Sequence, residues 1–300
     1  MDGRPEVIVI GAGPAGIAAT IYLKRGGFDP LLFESEQPGG LLRCANLVEN
    51  YPGFPGGIEG PQLVELFCRH LESVGGTVTK AAVNMLRPKG DGSFIASSSI
   101  GEFTARAVII ATGTKARRIE LPGMTKLEGR TVFYHLIELL AQVKNGEDIV
   151  IYGGGDAAFD QGIDLRKRGH RVTVLSRSRP RCLPLLLERA LAIDVRTIEG
   201  RSIKMVNEQG KELLLELDDS GTIRADRLLI ACGRESRLEM LDPSILAGIG
   251  PVDRPVTNTP GLYLAGDVVS GEKRQVGIAV GSGISSAMAA EGYLRGGPSR

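Results

Sequence analysis

The feature that most constrains the fold of this chain is a strand, a glycine-rich turn and a helix that follow one another twice. The first copy is EVIVIGAGPAGIAATIYLKRG and the second is EDIVIYGGGDAAFDQGIDLRKRG. Each copy begins with a continuous apolar run, which is typical of a strand in a parallel sheet. Short β-rich runs follow each copy, in FIASSSIGEFTARAVIIATGT and in KELLLELDDSGTIRADRLLIACGR. The duplication predicts an α/β fold with two Rossmann-like, three-layer ββα dinucleotide-binding domains.

The first turn contains Gly11, Gly13 and Gly16 in the pattern G-x-G-x-x-G. After a strand and before a helix, these glycines permit a tight turn, close approach of a pyrophosphate and close helix–strand packing. The helix N-terminus favours the phosphate charge. Glu34, at the end of the next strand PLLFE, is placed to accept hydrogen bonds from a ribose. The segment predicts a dinucleotide site, and the alternative is a glycine-rich turn without a ligand.

The second turn contains Gly153, Gly155 and Ala158 in the pattern G-x-G-x-x-A, again at the start of a helix. Asp156 and Ala157 begin that helix. The turn predicts a second dinucleotide site. The alternative is a degenerate turn left by duplication, which keeps its packing glycines without a ligand.

The strand after the second turn, RVTVL, ends at SRSRPR, with no carboxylate where a ribose 2′-hydroxyl would need one. Arg177, Arg179 and Arg181 can instead pair with a 2′-phosphate, which favours NADPH over NADH. A basic surface turn is the competing interpretation of these arginines.

Composition excludes several other classes of function. The chain has 300 residues, of which 42% are apolar and 24% charged, enough for two globular domains. A formal net charge of +1 without a long run of one sign predicts no nucleic-acid partner and no anionic membrane partner. The apolar run from Val7 to Leu23 is interrupted by glycine and proline, so a cytoplasmic protein is expected. No metal site is expected, because the histidines are scattered and so are the cysteines Cys44, Cys68, Cys182 and Cys232.

The helical segment PQLVELFCRHLESVG predicts a packing stripe rather than a site. The spacing places five residues on this stripe, namely Leu63, Phe67, His70, Leu71 and Val74. Cys68 lies beside it, so we expect a half-buried structural thiol there.

A third region identifies the kind of dinucleotide. The segment TPGLYLAGDVVSGEKRQVGIAVGSGISSAMAAEGYL joins a strand ending in Gly266 and Asp267 to a loop with Arg274 and Gln275, and then to a helix rich in small residues. With PGG, VENYPGFPGGIEGP and ATG earlier in the chain, this segment resembles the low-molecular-weight thioredoxin reductases and their flavoprotein relatives. The resemblance covers nearly the whole chain and keeps the family's order of motifs.

The resemblance implies FAD at the first turn and NADPH, with NADH as an alternative, at the second. In the family, the Gly-Asp carboxylate holds the ribityl chain of FAD, and the Arg-Gln loop lies near the flavin. The residues expected to bind FAD are Gly11, Gly13, Pro14, Ala15, Gly16, Glu34, Gly40, Leu41, Asn50, Thr112, Gly113, Gly266, Asp267, Arg274, Gln275 and Val276. Those expected to bind NADPH are Gly153, Gly155, Asp156, Ala157, Ala158, Arg177, Arg179 and Arg181.

The chain departs from the family pattern at the arginines. The family binds NADPH through H-R-R-x-x-x-R, where this chain has serine at 176 and 178 and cysteine at 182. Only Arg177 matches in register. The resemblance therefore supports the contact with the 2′-phosphate at Arg177 alone.

The chain also lacks the redox pair of the family. Low-molecular-weight thioredoxin reductases carry C-x-x-C-D before the second glycine turn, and Phe133, Tyr134 and His135 stand where that pair would begin. Electrons from the flavin are therefore expected to go to an external acceptor, with a ferredoxin-like or other redox protein as the first candidate. Cys44 is the one cysteine expected near the flavin and the candidate for a catalytic thiol. A small buried hydrophobic residue is the structural alternative for Cys44, and His135 is a weaker candidate as a proton donor.

From these features we expect a discontinuous FAD-binding domain over residues 1–115 and 234–300, with an NAD(P)H-binding domain inserted at 116–233. The expected function is an FAD-dependent NAD(P)H oxidoreductase that passes electrons to an external acceptor, assembled as a homodimer like its relatives. One alternative is a disulfide reductase that uses Cys44. Another is a flavin-binding subunit or regulatory module without turnover.

Overall fold

The computed structural model describes residues 5–249 and 257–296. Within these ranges the chain divides into two compact units. The first unit comprises residues 5–43, 48–115 and the described residues from 235 onward, and the second comprises 44–47 and 116–234. The expected domain limits at residues 1 and 300 lie outside the described ranges. The cofactor assigned to each unit stays a prediction.

Strands and helices alternate at the start of each unit, and a run of consecutive strands follows in each. The strands are β1 (Val7–Ile10), β2 (Leu31–Glu34), β3 (Val78–Lys80), β4 (Val83–Pro88), β5 (Phe94–Ser98), β6 (Gly101–Ala105), β7 (Ala107–Ile110), β8 (Thr114–Ala116), β9 (Val132–Phe133), β10 (Asp148–Tyr152), β11 (Arg171–Ser176), β12 (Arg196–Glu199), β13 (Ile203–Gln209), β14 (Glu212–Leu217), β15 (Thr222–Ala225), β16 (Arg227–Ile230), β17 (Arg234–Ser236) and β18 (Leu262–Leu264). The helices are α1 (Pro14–Arg25), α2 (Gly60–Ser73), α3 (Leu136–Leu140), α4 (Asp156–Lys167), α5 (Pro184–Ala192), α6 (Pro243–Gly248) and α7 (Val276–Leu294).

The first unit is built on a five-stranded parallel sheet in the order β18-β7-β1-β2-β3. All four residues of β1 are buried, because the sheet is covered on both faces. Val7 and Val9 pack with α1 and α7 on one face, and Ile8 and Ile10 pack on the other against the antiparallel sheet β4-β5-β6. A strand that is buried on both faces requires these three layers, because its successive side chains point to opposite faces of the sheet.

The second unit repeats this plan. Its parallel sheet has the order β12-β11-β10-β16-β9, and its antiparallel sheet is β13-β14-β15. Ile149 and Ile151 face the layer of α3, α4 and α5, whereas Val150 and Tyr152 face the antiparallel sheet. The predicted fold class, two Rossmann-like ββα domains, is confirmed.

Where the chain passes between the two units, β8 and β17 pair as a two-stranded ribbon. The ribbon is continued at one end by a hydrogen bond from the Arg117 N–H to the Gly233 carbonyl (3.0 Å), and at the other by one from Arg237 to Gly113 (3.1 Å). Among the described helices, none has both the length and the apolar character that a membrane crossing requires.

The stripe expected on α2 needs one correction. Leu63 and Leu71 are buried as predicted, but His70 is exposed. Val64, one position after Leu63, is buried instead. The buried face of the helix therefore includes Leu63, Val64 and Leu71 and leaves His70 outside.

Candidate functional site

The first glycine turn has the close contacts that its sequence pattern requires. Gly11 has a φ of +102°, which an L-residue with a side chain rarely adopts, and a Cβ there would lie 2.4 Å from the carbonyl oxygen of Ala111. A Cβ on Gly16 would lie 1.8 Å from the carbonyl oxygen of Gly11. Gly13 differs, because a Cβ there would meet no protein atom within 4 Å. The turn is therefore packed against protein at Gly11 and Gly16 and open at Gly13, the position expected to face the pyrophosphate.

Three chain segments converge beside this turn. Pro14 occupies the first turn of α1, where its missing N–H costs no hydrogen bond. Gly266 begins a 3-10 turn that contains Asp267, and a Cβ on Gly266 would lie 2.8 Å from the Cβ of Ala15. A Cβ on Gly283 of α7 would lie 2.2 Å from the Ala15 carbonyl oxygen. Close packing thus brings the Gly-Asp pair against the start of α1.

Glu34 lies at the end of β2, as predicted, and reaches back over the turn. Its Oε2 accepts a hydrogen bond from the Ala12 N–H (2.9 Å), and its Oε1 accepts one from the Glu36 N–H (2.9 Å). Gly40, with a φ of +54°, would place a Cβ 3.5 Å from the Cα of Gly13. The Glu34 carboxylate therefore lies at the same turn as Gly13, the glycine with free space beside it. Leu41, the next residue, is exposed.

The remaining residues expected at the FAD site pair within the first unit. The Asn50 Nδ2 donates to Gln275 Oε1 (2.7 Å), although 225 residues separate them. Gln275 caps α7, which begins at Val276, and Arg274 precedes it. Thr112 Oγ1 donates to the Arg237 carbonyl oxygen (2.6 Å). Gly113 has a φ of +65°.

The second glycine turn repeats the contacts of the first. A Cβ on Gly153 would lie 2.3 Å from the Ala231 carbonyl oxygen, and a Cβ on Gly155 would meet no protein atom within 4 Å. Ala158 is fully buried, whereas Ala157 is exposed. Asp156 begins α4 and accepts a hydrogen bond from the Leu183 N–H (2.8 Å).

The loop after β11 closes over this turn and exposes its arginines. The Arg181 N–H donates to the Gly154 carbonyl (2.7 Å), and Ser176 Oγ donates to the Ser178 carbonyl (2.7 Å). Arg177, Arg179 and Arg181 are all exposed. The structure places the three guanidinium-bearing residues in the loop beside the second turn, and the contact of each with a nucleotide stays a prediction.

Both turns fit the cofactors expected for them. A pyrophosphate needs a helix N-terminus with space beside it, and Gly13 and Gly155 each cap a helix and leave that space free of protein atoms. Glu34 supplies the carboxylate for an adenosine ribose, and the exposed arginines supply positive charge for a phosphate.

No disulfide joins the four cysteines, all of which lie in the described ranges and are half-buried. Burial raises the pKa of the Cys68 thiol, as it does for Cys182, where Asp156 adds to the effect. Cys68 packs beside the helical core of the first unit, as predicted. Cys44 ends the 3-10 turn Gly40–Cys44.

Sequence reasoning missed Cys232, which lies at the second turn. It follows Ala231, the residue that contacts Gly153, and its Sγ donates to the Tyr152 carbonyl oxygen (3.2 Å). Burial raises the pKa of Cys232 to about 11, against the opposing effect of the Arg177 and Arg117 guanidinium groups. The signal was available in the repeat, because ACG after β16 matches ATG after β7.

The segment at the position of the family's redox pair is part of the second unit's core. Val132 and Phe133 form β9, which pairs with β16, and Phe133 is fully buried. The Tyr134 hydroxyl donates to the Ile119 carbonyl oxygen (3.2 Å), and its ring lies under the Arg118 guanidinium.

Comparison with known proteins supports a single family. Residues 5–290 match the family described as pyridine nucleotide-disulphide oxidoreductase. The chain is 33% identical to the thioredoxin reductase of Streptomyces clavuligerus, covering 98% of this chain and 95% of that protein. It is 33% identical to the bifunctional thioredoxin reductase/thioredoxin of Mycobacterium leprae, covering 96% of this chain but 66% of that protein, just under two thirds. The crystal structure of Lactococcus lactis thioredoxin reductase in its FR conformation superposes with a TM-score of 0.87 at 26% identity, covering 98% of this chain and 100% of that one.

Proposed function

Because this chain belongs to the pyridine nucleotide-disulphide oxidoreductase family, we propose that it carries electrons from NADPH through FAD to an external redox protein, without a disulfide of its own. It is an FAD-dependent oxidoreductase of the thioredoxin reductase-like type, with FAD and NADPH as its cofactors. The chemistry supplied by the bound cofactors is hydride transfer from nicotinamide to flavin and release of electrons to an acceptor.

The observation that carries this proposal is the replacement of the redox pair by core residues. The 300 residues contain no C-x-x-C. At the position where relatives would begin that motif, Phe133 is buried in the core between the parallel sheet and the helices of the second unit, and Tyr134 is hydrogen-bonded to the backbone. These side chains stabilise the fold and cannot exchange electrons with a flavin by thiol chemistry. An acceptor outside this pair is therefore required.

The residues of this chain bind and orient the cofactors. In the first unit, the open N-terminus of α1 receives the FAD pyrophosphate, the Glu34 carboxylate accepts hydrogen bonds from its adenosine ribose, and Asp267 holds its ribityl chain. In the second unit, the N-terminus of α4 receives the NADPH pyrophosphate, and Arg177 pairs with its 2′-phosphate. We assign FAD to residues 1–115 with 234–300 and NADPH to residues 116–233, the limits expected from the sequence, although the structure groups residues 44–47 and 234 with the second unit. The acceptor is a ferredoxin-like or similar redox protein, and the enzyme acts in the cytoplasm as a homodimer.

The test is an anaerobic reductive titration of the purified yellow protein with NADPH, followed by assays with one-electron acceptors and with thioredoxin. We expect the protein to take up two electrons per FAD, to reduce one-electron acceptors and to leave thioredoxin oxidised. A combined variant with Cys44→Ser, Cys68→Ser, Cys182→Ser and Cys232→Ser should keep acceptor reduction. Uptake of further electrons, or loss of acceptor reduction in a variant that still binds FAD and bleaches with NADPH, would place a cysteine on the electron path.

A second candidate function is reduction of a disulfide through Cys44. Its support is that the relatives at 33% identity are named thioredoxin reductases. Cys44→Ser alone separates the candidates, with Cys68→Ser as the matched control because Cys68 packs beside a core. Disulfide reduction that disappears only with Cys44→Ser supports this second candidate. A protein that binds FAD but is not bleached by NADPH would instead be a module without turnover.

A further inference from the structure

Most arginines of the second unit are either paired with a carboxylate or exposed without an ion pair. Eight form ion pairs with carboxylates within the described ranges, namely Arg118, Arg130, Arg166, Arg168, Arg171, Arg201, Arg224 and Arg227. Five other arginines are exposed and form no ion pair with any residue that the structure describes: Arg196 at the start of β12, and a group of four, namely Arg117, Arg177, Arg179 and Arg181. All four lie where the second glycine turn lies, so this edge of the sheet carries positive charge that the protein does not neutralise.

Arg117 is the member of this group that the sequence does not suggest, because it lies 36 residues before Gly153. The backbone fixes its position through the hydrogen bond from its N–H to the Gly233 carbonyl oxygen (3.0 Å). Its side chain turns over the same residue, because a Cβ on Gly233 would lie 3.9 Å from the Arg117 Cζ. Gly233 follows β16 by three residues, and Ala231 between them packs on Gly153. The Arg117 guanidinium therefore lies at the carboxyl edge of the second sheet, beside the turn.

Arg177 and Arg117 lie on opposite sides of β10, so they are placed to contact different parts of a bound nucleotide. Arg177 follows β11, the strand after the glycine turn, where a dinucleotide fold reads the adenosine ribose or its 2′-phosphate. Arg117 lies by β16, on the opposite side of β10. A nucleotide whose pyrophosphate rests on α4 passes between these two positions, so Arg117 is nearer the pyrophosphate and Arg177 nearer the 2′-phosphate.

We propose that Arg117 is a cofactor-binding residue that pairs with the pyrophosphate of the pyridine nucleotide, while Arg177 pairs with the 2′-phosphate. The inference rests on the proposed function, since it requires a nucleotide at the second turn. The Arg117 contact would be common to NADH and NADPH, because both contain the pyrophosphate. The Arg177 contact would distinguish them, because only NADPH has the 2′-phosphate. Guanidinium groups suit this role because they stay charged and bind phosphate oxygens in pairs.

The experiment is calorimetric titration of the oxidised, FAD-loaded protein with ADP-ribose and with 2′-phospho-ADP-ribose, which differ by one phosphate and undergo no redox reaction. For Arg117→Ala we expect both ligands to bind about tenfold more weakly, because one charge-assisted contact is lost from each. For Arg177→Ala we expect about the same loss for the phosphorylated ligand alone. Arg117→Lys should recover part of the affinity, because a point charge remains without the paired geometry.

Arg196→Ala is the matched control. Arg196 is also exposed and without an ion pair among the described residues, but it begins β12 and lies at the opposite edge of the sheet. The Arg196→Ala substitution removes the same charge as Arg117→Ala and should leave the dissociation constants of both ligands unchanged. FAD content and circular dichroism confirm that each variant is folded, and the Arg117 N–H to Gly233 bond survives in alanine because it is made by the backbone.

The outcomes separate the inference from the proposed function. Unchanged binding of both ligands by Arg117→Ala overturns the inference and leaves the proposed function intact. Weakening of the phosphorylated ligand alone overturns the pyrophosphate assignment, because it places Arg117 on the 2′-phosphate. Equal weakening by Arg196→Ala shows a general charge effect and also overturns it. A wild-type protein that binds neither ligand contradicts the proposed function itself.

Discussion

The two glycine turns of this chain share a backbone and differ in charge. In the first, the Gly11 N–H donates to the Phe33 carbonyl (2.8 Å), and in the second the Gly153 N–H donates to the Leu175 carbonyl (2.9 Å). The same hydrogen bonds therefore align the next residue of each strand, Glu34 in the first unit with Ser176 in the second. The Ala111 and Ala231 N–H groups likewise donate to the residue before each turn, Ile10 and Tyr152.

The difference lies at the aligned strand ends. Glu34 directs a carboxylate over the first turn, where it accepts the Ala12 N–H. Ser176 is buried and bonds its own loop, and exposed arginines follow it. A ribose hydroxyl suits the carboxylate and a phosphate suits the arginines. We therefore infer that the two units share a turn suited to a pyrophosphate, and we propose that the side chains at the aligned strand ends set the nucleotide that each turn accepts.

The largest effect is expected at the third position of the turn, where the two units differ as glycine and alanine. Gly16→Ala should destabilise the first unit by about 3 kcal/mol or more, because its Cβ would lie 1.8 Å from the Gly11 carbonyl oxygen and backbone must move. Denaturation followed by circular dichroism and FAD release measures the loss. Ala158 already fills the equivalent position of the second unit.

Two controls make this prediction specific. Gly13→Ala should fold with nearly wild-type stability, since its Cβ meets no protein atom, yet it should bind FAD more weakly because it fills the space expected for the pyrophosphate. Ala158→Gly should cost only about 1 kcal/mol, the ordinary cost of glycine in a helix. A Gly16→Ala protein as stable as wild type would contradict the close contact at this turn.

The next largest effect is expected from removing the Glu34 carboxylate charge, which distinguishes the first turn from the second. Glu34→Gln keeps an oxygen for the Ala12 N–H but loses the negative charge, so the turn should fold while FAD binds about 10- to 100-fold more weakly, since a hydrogen bond to a charged group contributes roughly 1.5–3 kcal/mol. Fluorescence titration of the apoprotein with FAD gives the dissociation constant. Glu36→Gln is the control, because only its backbone N–H bonds Glu34. Equal FAD affinity in the Glu34→Gln variant would show that the ribose contact lies elsewhere.

The reciprocal change gives the second turn the charge of the first. Ser176→Glu should place a carboxylate where Glu34 lies in the first unit, and like charges near a surface repel by on the order of 1 kcal/mol or more. The preference for 2′-phospho-ADP-ribose over ADP-ribose should therefore fall by about tenfold. Ser176→Gln controls for size. If the two variants behave alike, bulk rather than charge sets the choice.

Much of this comparison was readable from the sequence, because its determinants are local. Runs of neighbouring residues predict the glycine turns, the strand ends at Glu34 and Ser176, and the continuous burial of β1 and β10. Cys232 and Arg117 were missed because only the sheet brings them beside Gly153, from opposite sides in sequence. Gly283 was missed for the same reason, since its close contact is with α1. His70 was placed wrongly because apolar spacing does not fix how far the buried face of a helix extends, and His70 lies outside the face that Leu63 and Leu71 share.

The smallest effect is expected at the amino ends of the parallel strands, where the first unit has an exposed ion pair and the second unit has a buried one. Glu6 and Arg106 of the first unit are 3.9 Å apart and both 55% exposed, whereas Glu147 and Arg227 of the second are 3.1 Å apart and both 13% exposed. His170 is buried, and its Nδ1 has no hydrogen-bond partner among the described residues. Burial lowers the pKa of His170, although Glu147 acts in the opposite direction.

A lowered pKa means that the unfolded chain takes up this proton at a higher pH than the folded one. The stabilisation is therefore complete above pH about 6.5, the ordinary histidine value, and is lost as the pH falls from there towards the lower folded pKa. The loss is at most about 1.4 kcal/mol per pH unit for one proton. Urea unfolding by circular dichroism at pH 7.5 and pH 5.5 should show a steeper fall for wild type than for His170→Gln, which cannot titrate. His70→Gln, at an exposed position of the first unit, should keep the wild-type slope. If His170→Gln keeps it too, the buried imidazole does not distinguish the units, and the acid sensitivity belongs to carboxylates that both share.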